Sequence, residues 1–512
     1  MAPSRITRRQ LVAGAAAAPA FVRQASASPE PSYKAESHVR HRLLAATWQQ
    51  ATNDATILDT TNNTLNSRTL CVAPTTTGVR DIVLAFPEWG LKAIEKPWPG
   101  PYVVRAVIEY PAGKFHPVYA QGRRDITVTP GFSTVWCDAC PLEIPAGARF
   151  YVKCYARWSG GMWLGRSQSC VPALGEWTRR GVDLPDATET TATFWPTALA
   201  AGFQPAVFGR LERRQIALGI LGASQEMAYG TDCVDPDNGS LFIGRAMRNM
   251  FPVMNLSRAG DSLGQYLYRS AARRQLLNGT VTHLMLALGS NDVFAGVPVQ
   301  KALLWLLRAA EPYLASGIAV YGMTVLPRSI SSDSWRTEAN QRPVNSRYEL
   351  ARLQYNASMM QGWKAWGFRG MFDCAHAIDP HDRGIWPADN ASAGFGGGGF
   401  ATIDRGAVVA VRPGATFRGG GVGSAYPPNS AVPCAVLNAP GDTSGSGAVA
   451  AMHTDRLGRG ISFSVEQGGH GYIYPPLIAA KGQWCHNDGV HECKRGYDAV
   501  IGGSGLAPTA FT

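Results

Sequence analysis

The residues with the clearest chemical potential are an acid and a histidine near the end of the chain, Asp488 and His491. Their spacing lets one short loop present both side chains, so that the carboxylate orients the imidazole and the imidazole acts as a general base. Such a base activates a serine hydroxyl, which is otherwise a weak nucleophile. His486 lies nearby but lacks an acid three residues before it. The pair therefore predicts a nucleophilic serine elsewhere, together with hydrogen-bond donors for an oxyanion.

A candidate nucleophile, Ser224, follows the first of several apolar runs, Ile216 to Leu221. This places the serine at the carboxyl end of a predicted strand, although an isolated Gly-x-Ser is also typical of a serine that caps the next segment. Gly260 follows the second run, and Asn291 and Asp292 follow the third within Gly-Ser-Asn-Asp. The backbone N–H groups of Ser224 and Gly260 and the amide of Asn291 are therefore candidate donors of an oxyanion hole.

A second serine, Ser262, competes for the nucleophile's role because it ends a literal Gly-Asp-Ser at Gly260 to Ser262. If Ser262 were the nucleophile, no glycine segment would separate it from Gly289, and Ser224 would have no role. The order of the strand-end sites favours Ser224.

The segments that must position these residues alternate between apolar strands and amphipathic helices. The predicted strands are Ile216 to Leu221, Pro252 to Leu256, His283 to Leu288, Ile318 to Val325 and Gly370 to Cys374. The predicted helices are Asp261 to Leu277, Val299 to Leu314 and Ser346 to Gln361. Continuous apolar strands separated by helices indicate a parallel sheet covered on both faces, and ligands bind at the carboxyl ends of such strands.

Two other regions have a β-type pattern. Residues 28–205 carry short apolar runs separated by Pro/Gly turns, which predicts an antiparallel sandwich or jelly roll. Residues 383–480 are glycine-rich and carry further β-like segments, which predicts a mainly β insertion. We interpret its glycines as turn and bulge positions, since no helix-opening Lys-Ser/Thr follows them as in a phosphate-binding loop.

In these motifs the chain resembles the SGNH (GDSL-type) hydrolases, over about residues 212–380 and 481–505. The resemblance implies a flavodoxin-like three-layer α/β/α domain over 212–505, interrupted by the insertion at 383–480. It also implies Ser224 as nucleophile, Gly260 and Asn291 as oxyanion donors, and the pair Asp488 and His491 as orienter and base, with Asp292 in support. One departure is Ala223, where the family usually has Asp.

The N-terminus has the pattern of a twin-arginine export signal over residues 1–27. Arg8 and Arg9 precede an apolar run that is about half as long as a membrane-spanning helix, and Ala25 to Ala27 forms a small-residue cleavage site. Removal of four arginines and no acid lowers the formal net charge from +11 to +7. No later segment is apolar enough to span a bilayer, so we expect a periplasmic or secreted protein.

Ten cysteines in an exported protein predict disulfide bonds. Cys485 and Cys493 flank the Asp488 to His491 loop, and a bridge between them would secure it. Cys137 and Cys140 have redox spacing but lack the strand-then-helix context of a redox site, so we interpret them as structural.

The predicted reaction is ester hydrolysis through an acyl-serine, and it requires no metal or cofactor. The histidines lack metal-ligand spacing, and no Lys/Arg-rich run indicates nucleic-acid binding. With 14 Trp and 17 Tyr available for stacking on sugars, we expect an O-acetyl carbohydrate esterase. A lipase or aryl-esterase, a polysaccharide O-acyltransferase and a non-catalytic binding protein are the alternatives.

Overall fold

The computed structural model of the chain describes residues 43–47, 55–92, 94–165, 175–192, 205–212, 216–226, 242–332, 337–387, 394–413, 429–438, 444–456, 460–482 and 494–511. They form a mixed α/β structure that is rich in strands. Within these residues no helix is long and apolar enough to cross a membrane.

The N-terminal part consists of antiparallel strands. They are β1 (Leu43–Leu44), β2 (Ala55–Asp59), β3 (Thr64–Val72), β4 (Val79–Pro87), β5 (Trp89–Lys92), β6 (Ile94–Pro97), β7 (Tyr102–Glu109), β8 (Phe115–Val118), β9 (Ile126–Val128), β10 (Thr134–Trp136), β11 (Cys140–Ile144), β12 (Arg149–Trp158), β13 (Met162–Gly165), β14 (Trp177–Gly181) and β15 (Ala206–Leu211). One sheet has the order β1-β15-β4-β10 and another β14-β3-β12-β7-β8. Because β15 pairs with β4, the first antiparallel sheet includes residues up to Leu211.

Strand β4 is buried on both faces, which explains its continuous apolar run. Ile82, Leu84 and Phe86 pack towards the second antiparallel sheet. Val83 and Ala85, which alternate with them, pack instead against the helices of the following α/β part. The N-terminal part and the α/β part therefore share a hydrophobic core.

The α/β part contains a parallel sheet. Its strands are β16 (Leu218–Gly222), β17 (Val253–Asn255), β18 (His283–Ala287), β19 (Ala319–Met323) and β22 (Gly370–Phe372), and a short hairpin is formed by β20 (Ser329–Ser331) and β21 (Gln341–Pro343). The sheet order is β17-β16-β18-β19-β22, and each neighbouring pair is parallel. Four of the five predicted apolar runs contain one of these strands, and the fifth, Ile216 to Leu221, overlaps β16, which ends one residue later at Gly222.

The helices are α1 (Phe242–Ala246), α2 (Leu263–Arg269), α3 (Ala271–Leu277), α4 (Ser290–Phe294), α5 (Val299–Ala315), α6 (Ser346–Gly362), α7 (Cys374–Ile378) and α8 (Lys494–Ser504), followed by a 3-10 turn at Pro508–Ala510. Alternate residues of β16 enter different cores: Leu218 and Ile220 pack with α1 and α7, and Leu221 packs with α2, α3, α5 and α6. The side chain of Asn345 begins α6 by accepting the N–H groups of Arg347 and Tyr348 at 2.8 and 3.2 Å.

The segment predicted as one helix from Asp261 to Leu277 is two helices, α2 and α3, separated at Ser270. The cause is a tertiary contact. The carboxylate of Glu95, on the β5–β6 hairpin, accepts the backbone N–H groups of Ala272 and Arg273, each at 2.8 Å. A carboxylate at this position caps a new helix N-terminus, so the prediction of one continuous helix was wrong.

The glycine-rich insertion forms an antiparallel sheet. Its strands are β23 (Gly394–Asp404), β24 (Ala407–Pro413), β25 (Ala431–Leu437), β26 (Ser446–Thr454), β27 (Gly460–His470) and β28 (Leu477–Gly482), in the order β24-β23-β28-β25-β26-β27. The glycines at 394–400 lie within β23 and not in a turn, but the register with β28 shifts between Phe395 and Gly397. The expectation of a bulge is therefore met there, whereas the expectation of a turn is not.

Cys137, Cys140, Cys154 and Cys434 are free thiols in the structure, so for these four the expected disulfides are not found. Burial raises the pKa of the Cys137 thiol to about 12, which suppresses the reactive thiolate. The predicted bridge between Cys485 and Cys493 lies outside the described residues.

Candidate active site

Three loops that follow adjacent parallel strands lie at one edge of the sheet. Gly222 pairs with Ala287 at the ends of β16 and β18. The N–H of Arg258, in the loop after β17, donates to the carbonyl of Gly222 at 3.2 Å. The amide Nδ2 of Asn291, after β18, donates to the carbonyl of Asp261 at 2.7 Å. The segments that contain Ser224, Gly260 and Asn291 are thus connected through hydrogen bonds.

The turn that carries Ser224 is held by Glu226, a residue that the sequence analysis missed. The Oε2 atom of Glu226 accepts the N–H of Ala223 at 2.6 Å, and its carbonyl accepts Nδ2 of Asn255 at 2.7 Å. A Cβ atom at Gly222 would lie 2.5 Å from the Glu226 side chain, so only glycine fits there. Ser224 itself is partly exposed, while its neighbours Ala223 and Glu226 are buried. The only sequence signal is an acid two residues after the serine.

Burial raises the pKa of Glu226 to about 7, although hydrogen bonds from the backbone N–H groups of Ala223 and Glu226 and the charge of Arg328 oppose this shift. The folded protein therefore binds more protons at this group than the unfolded chain between about pH 4.5 and pH 7. Consequently, the contribution of Glu226 to stability is largest below pH 4.5 and is lost as the pH rises through 7.

We expect Glu226→Gln to remove this pH dependence, because glutamine keeps an oxygen acceptor for Ala223 but does not ionise. Relative to the wild type, the variant should gain on the order of 3 kcal/mol in unfolding free energy between pH 5 and pH 8. Urea unfolding of both proteins at the two pH values measures this difference. If the unfolding free energies of the wild type and the variant differed by the same amount at pH 5 and pH 8, the raised pKa assigned to Glu226 would be contradicted.

The Gly260 loop is a tight turn built around a buried carboxylate. Gly260 has a φ of +71°, in the left-handed region that favours glycine. The adjacent Asp261 is fully buried, and its carboxylate accepts from Arg258 at 3.1 Å and from Arg273 at 2.6 Å. Since Asp261 also receives Asn291 at its carbonyl, the loop is fixed through both side chain and backbone.

Ser262, the alternative nucleophile, has a structural role in the same loop. It is the N-cap of α2, and its Oγ accepts the N–H of Gln265 at 3.2 Å. The preceding acid of the literal Gly-Asp-Ser, Asp261, is committed to two arginines. The pattern at 260–262 is therefore explained by helix capping and ion pairing without a nucleophile.

The side chain of Asn291 is oriented from both ends. Its Nδ2 donates one hydrogen to Asp261, and its Oδ1 accepts from Nη2 of Arg328 at 2.8 Å. An amide nitrogen carries two hydrogens, so one remains for a ligand. Arg328 is buried, donates also to Oγ of Ser290 at 2.8 Å, and lies 4.5 Å from the centre of the Phe294 ring. Sequence analysis missed Arg328, whose only signal is its position just after the fourth apolar run.

Asp292 holds α2 against the loop after β18. Its carboxylate accepts the N–H groups of Leu263 and Gly264 at 2.8 and 3.3 Å. Burial raises the pKa of Asp292, and these two hydrogen bonds oppose the shift. Gly289, which begins the loop, has a φ of +125°, and a Cβ atom there would lie 2.6 Å from the Tyr355 hydroxyl. Asp292 thus joins the start of α2 to the loop after β18, and its role in support of the site stays a prediction.

The predicted base and its orienter, His491 and Asp488, lie outside the described residues. The structure therefore brings together the loops that carry Ser224, Gly260 and Asn291, and the roles of these residues and of the Asp-His pair remain predictions.

No protein-family model matches the chain. No curated protein matches it either. Solved structures that resemble it include an esterase from Pseudoalteromonas sp. inhibited by monoethylphosphonate, with 20% identity over 30% of this chain and 75% of that chain and a TM-score of 0.23. Others are a putative lipolytic protein of the G-D-S-L family from Desulfitobacterium hafniense, with 12% identity, coverage of 33% and 83% and a TM-score of 0.26, and an acetyl-xylooligosaccharide esterase from Geobacillus stearmophilus, with 12% identity, coverage of 33% and 81% and a TM-score of 0.24.

Proposed function

We propose that the chain is an SGNH-type carboxylic ester hydrolase that works through an acyl-serine intermediate. Ser224 is the nucleophile, His491 the general base and Asp488 its orienter. The N–H groups of Ser224 and Gly260 and the amide of Asn291 form the oxyanion hole, and Asp292 fixes the loop. We also propose the flavodoxin-like α/β/α arrangement of the catalytic domain, on the sheet order β17-β16-β18-β19-β22.

The hydrogen bond between Asn291 and the carbonyl of Asp261 supports this proposal most directly. It joins the two loops that carry the proposed oxyanion donors, and the bond from Arg258 to Gly222 joins both to the turn of Ser224. Donors fixed before the reaction stabilise an oxyanion without the energetic cost of reorganisation.

In the proposed reaction, Oγ of Ser224 attacks the ester carbonyl carbon while His491 takes the hydroxyl proton. The carbonyl oxygen becomes an oxyanion bound by the three donors. The C–O bond to the alcohol then breaks, and His491 returns the proton to the departing oxygen. Water attacks the acyl-serine in the same way, with His491 again as base, and releases the carboxylic acid.

Hydrolysis of p-nitrophenyl acetate and labelling by a fluorophosphonate test the proposal. We expect both, with mass spectrometry placing the label on Ser224. A purified, folded protein that neither turns over the ester nor takes the label is a non-catalytic binding protein, and a label on Ser262 would assign the nucleophile there.

We further propose an O-acetyl group on a carbohydrate as the substrate. Phe294, in the same short helix as Asn291, is 46% exposed, and the guanidinium of Arg328 lies against its ring. An exposed aromatic ring near the proposed reaction centre offers an apolar face on which a sugar ring can stack. We propose export through the twin-arginine signal at residues 1–27, which fits an extracellular polymer as substrate.

We expect Phe294→Ala to raise KM for acetylated xylooligosaccharides by roughly 5- to 10-fold, which corresponds to the loss of about 1 kcal/mol of stacking. KM for p-nitrophenyl acetate should change less than about twofold, because this small ester does not reach the ring. Tyr268 is a matched control, since it is 71% exposed and lies in the last turn of α2, whereas Asp292 contacts the first two residues of that helix. Equal changes in KM for both substrates would argue against a sugar site at Phe294.

A further inference from the structure

A buried set of charges connects the N-terminal part to the proposed oxyanion loop. Glu95 on the β5–β6 hairpin contacts Arg273 on α3, with Oε1 3.3 Å from Nε. Nη1 of Arg273 then donates to the carboxylate of Asp261 at 2.6 Å and to the carbonyl of Leu256 at 3.2 Å. Glu95, Arg273 and Asp261 are all buried.

The connection continues into the proposed catalytic groups. Asp261 follows Gly260 directly, and its carbonyl accepts the amide of Asn291. Its second carboxylate oxygen accepts from Arg258, whose N–H contacts the end of β16 at Gly222. The Gly260 turn, the Asn291 amide and the strand end before Ser224 therefore share Asp261 as a common support.

The arrangement balances two acids, Glu95 and Asp261, against two cations, Arg258 and Arg273. Buried ion pairs gain little net stability over apolar residues, so stability alone is a weak reason for four charged groups here. Loss of one member leaves a buried charge without its partner, and the remaining groups must then move.

We propose that Glu95 is a positioning residue for ester hydrolysis, acting through Arg273 on Asp261 to hold the donors of Gly260 and Asn291 in place. The inference rests on the proposed function, and it makes the N-terminal part a component of the active site. A rigid support of this kind acts on the chemical step, because misplacement of a donor by about 1 Å costs roughly 100-fold in rate.

The test compares Glu95→Gln with Glu109→Gln. Glu109 is a matched control: each glutamate is 5% exposed, lies in the N-terminal part and binds an arginine and at least one backbone N–H group. The partner of Glu109 is Arg68, on strand β3 of the second antiparallel sheet. We expect Glu95→Gln to lower kcat for p-nitrophenyl acetate by about 10- to 100-fold with KM within about threefold. Glu109→Gln should keep kcat within about twofold, even with an equal loss in Tm.

A double-mutant cycle tests whether Glu95 acts on the proposed oxyanion donors through Asp261. If Glu95 acts through Asp261, Glu95→Gln combined with Asp261→Asn should have nearly the kcat of Asp261→Asn alone. Should Glu95→Gln fail to fold, Arg273→Lys interrupts the same connection and is expected to lower kcat similarly.

Equal kcat values for Glu95→Gln and Glu109→Gln in an active enzyme, or additive losses in the cycle, would overturn the inference and leave the esterase proposal intact. A wild type without turnover or fluorophosphonate labelling would overturn both.

Discussion

Replacement of Ser224 by alanine is expected to lower kcat for p-nitrophenyl acetate by about 10⁴- to 10⁶-fold and to abolish fluorophosphonate labelling. In the proposed reaction the hydroxyl oxygen of Ser224 bonds to the acyl carbon, so the variant cannot form the acyl-serine intermediate. Ser224 is partly exposed at the end of β16, while the buried neighbours Ala223 and Glu226 hold the turn. The fold should therefore survive, which circular dichroism and thermal unfolding can verify.

Ser262→Ala is the matched control for this result. It removes the N-cap of α2 and should cost about 0.5–2 kcal/mol in stability, with turnover retained. Full activity in Ser224→Ala together with loss of labelling in Ser262→Ala would reverse the assignment of the nucleophile.

Asn291→Ala should lower kcat by about 10²- to 10³-fold, because one oxyanion donor is lost. The donor acts mainly in the transition state, so KM should change only a few-fold. The variant also removes the bond to Asp261 and leaves Nη2 of Arg328 with Ser290. Steady-state kinetics on p-nitrophenyl acetate measure both constants.

Ser290→Ala tests the support by Arg328 separately from the amide of Asn291, the proposed oxyanion donor. Ser290 also accepts from Nη2 of Arg328 at 2.8 Å, but its hydroxyl is not a proposed oxyanion donor. Its removal should lower kcat by less than about tenfold. An Asn291→Ala variant no slower than Ser290→Ala would exclude the amide from the oxyanion hole.

Local patterns were sufficient to predict the strands of the parallel sheet and the position of Ser224, Gly260 and Asn291 at their ends. Apolar runs such as His283 to Leu288 are long enough to mark buried strands, and helix α5 follows its apolar spacing closely. The turn residues after each strand could be located once the strands were predicted, because a chain must leave a parallel sheet at the carboxyl end of each strand.

The sequence did not reveal the groups that hold these residues. Glu95 and Arg273 are 178 positions apart, and Arg328 and Asn291 are 37 apart, so no local pattern links them. The contact of Glu95 with α3 also explains the helix break at Ser270. The helical sequence pattern continues through Ser270, and the acceptor that caps the new helix is the distant carboxylate of Glu95.

The sequence by itself thus determined the positions of the parallel strands along the chain, the candidate chemical groups and their common edge of the sheet, because periodicity and turn chemistry are local properties. Only the tertiary structure decided that Ser262 caps a helix and that Glu226 occupies the space beside Gly222. It also decided that Asp261 binds Arg273, which in turn binds Glu95 of the N-terminal part. Buried charges require partners, and those partners come from whichever segments the fold packs together.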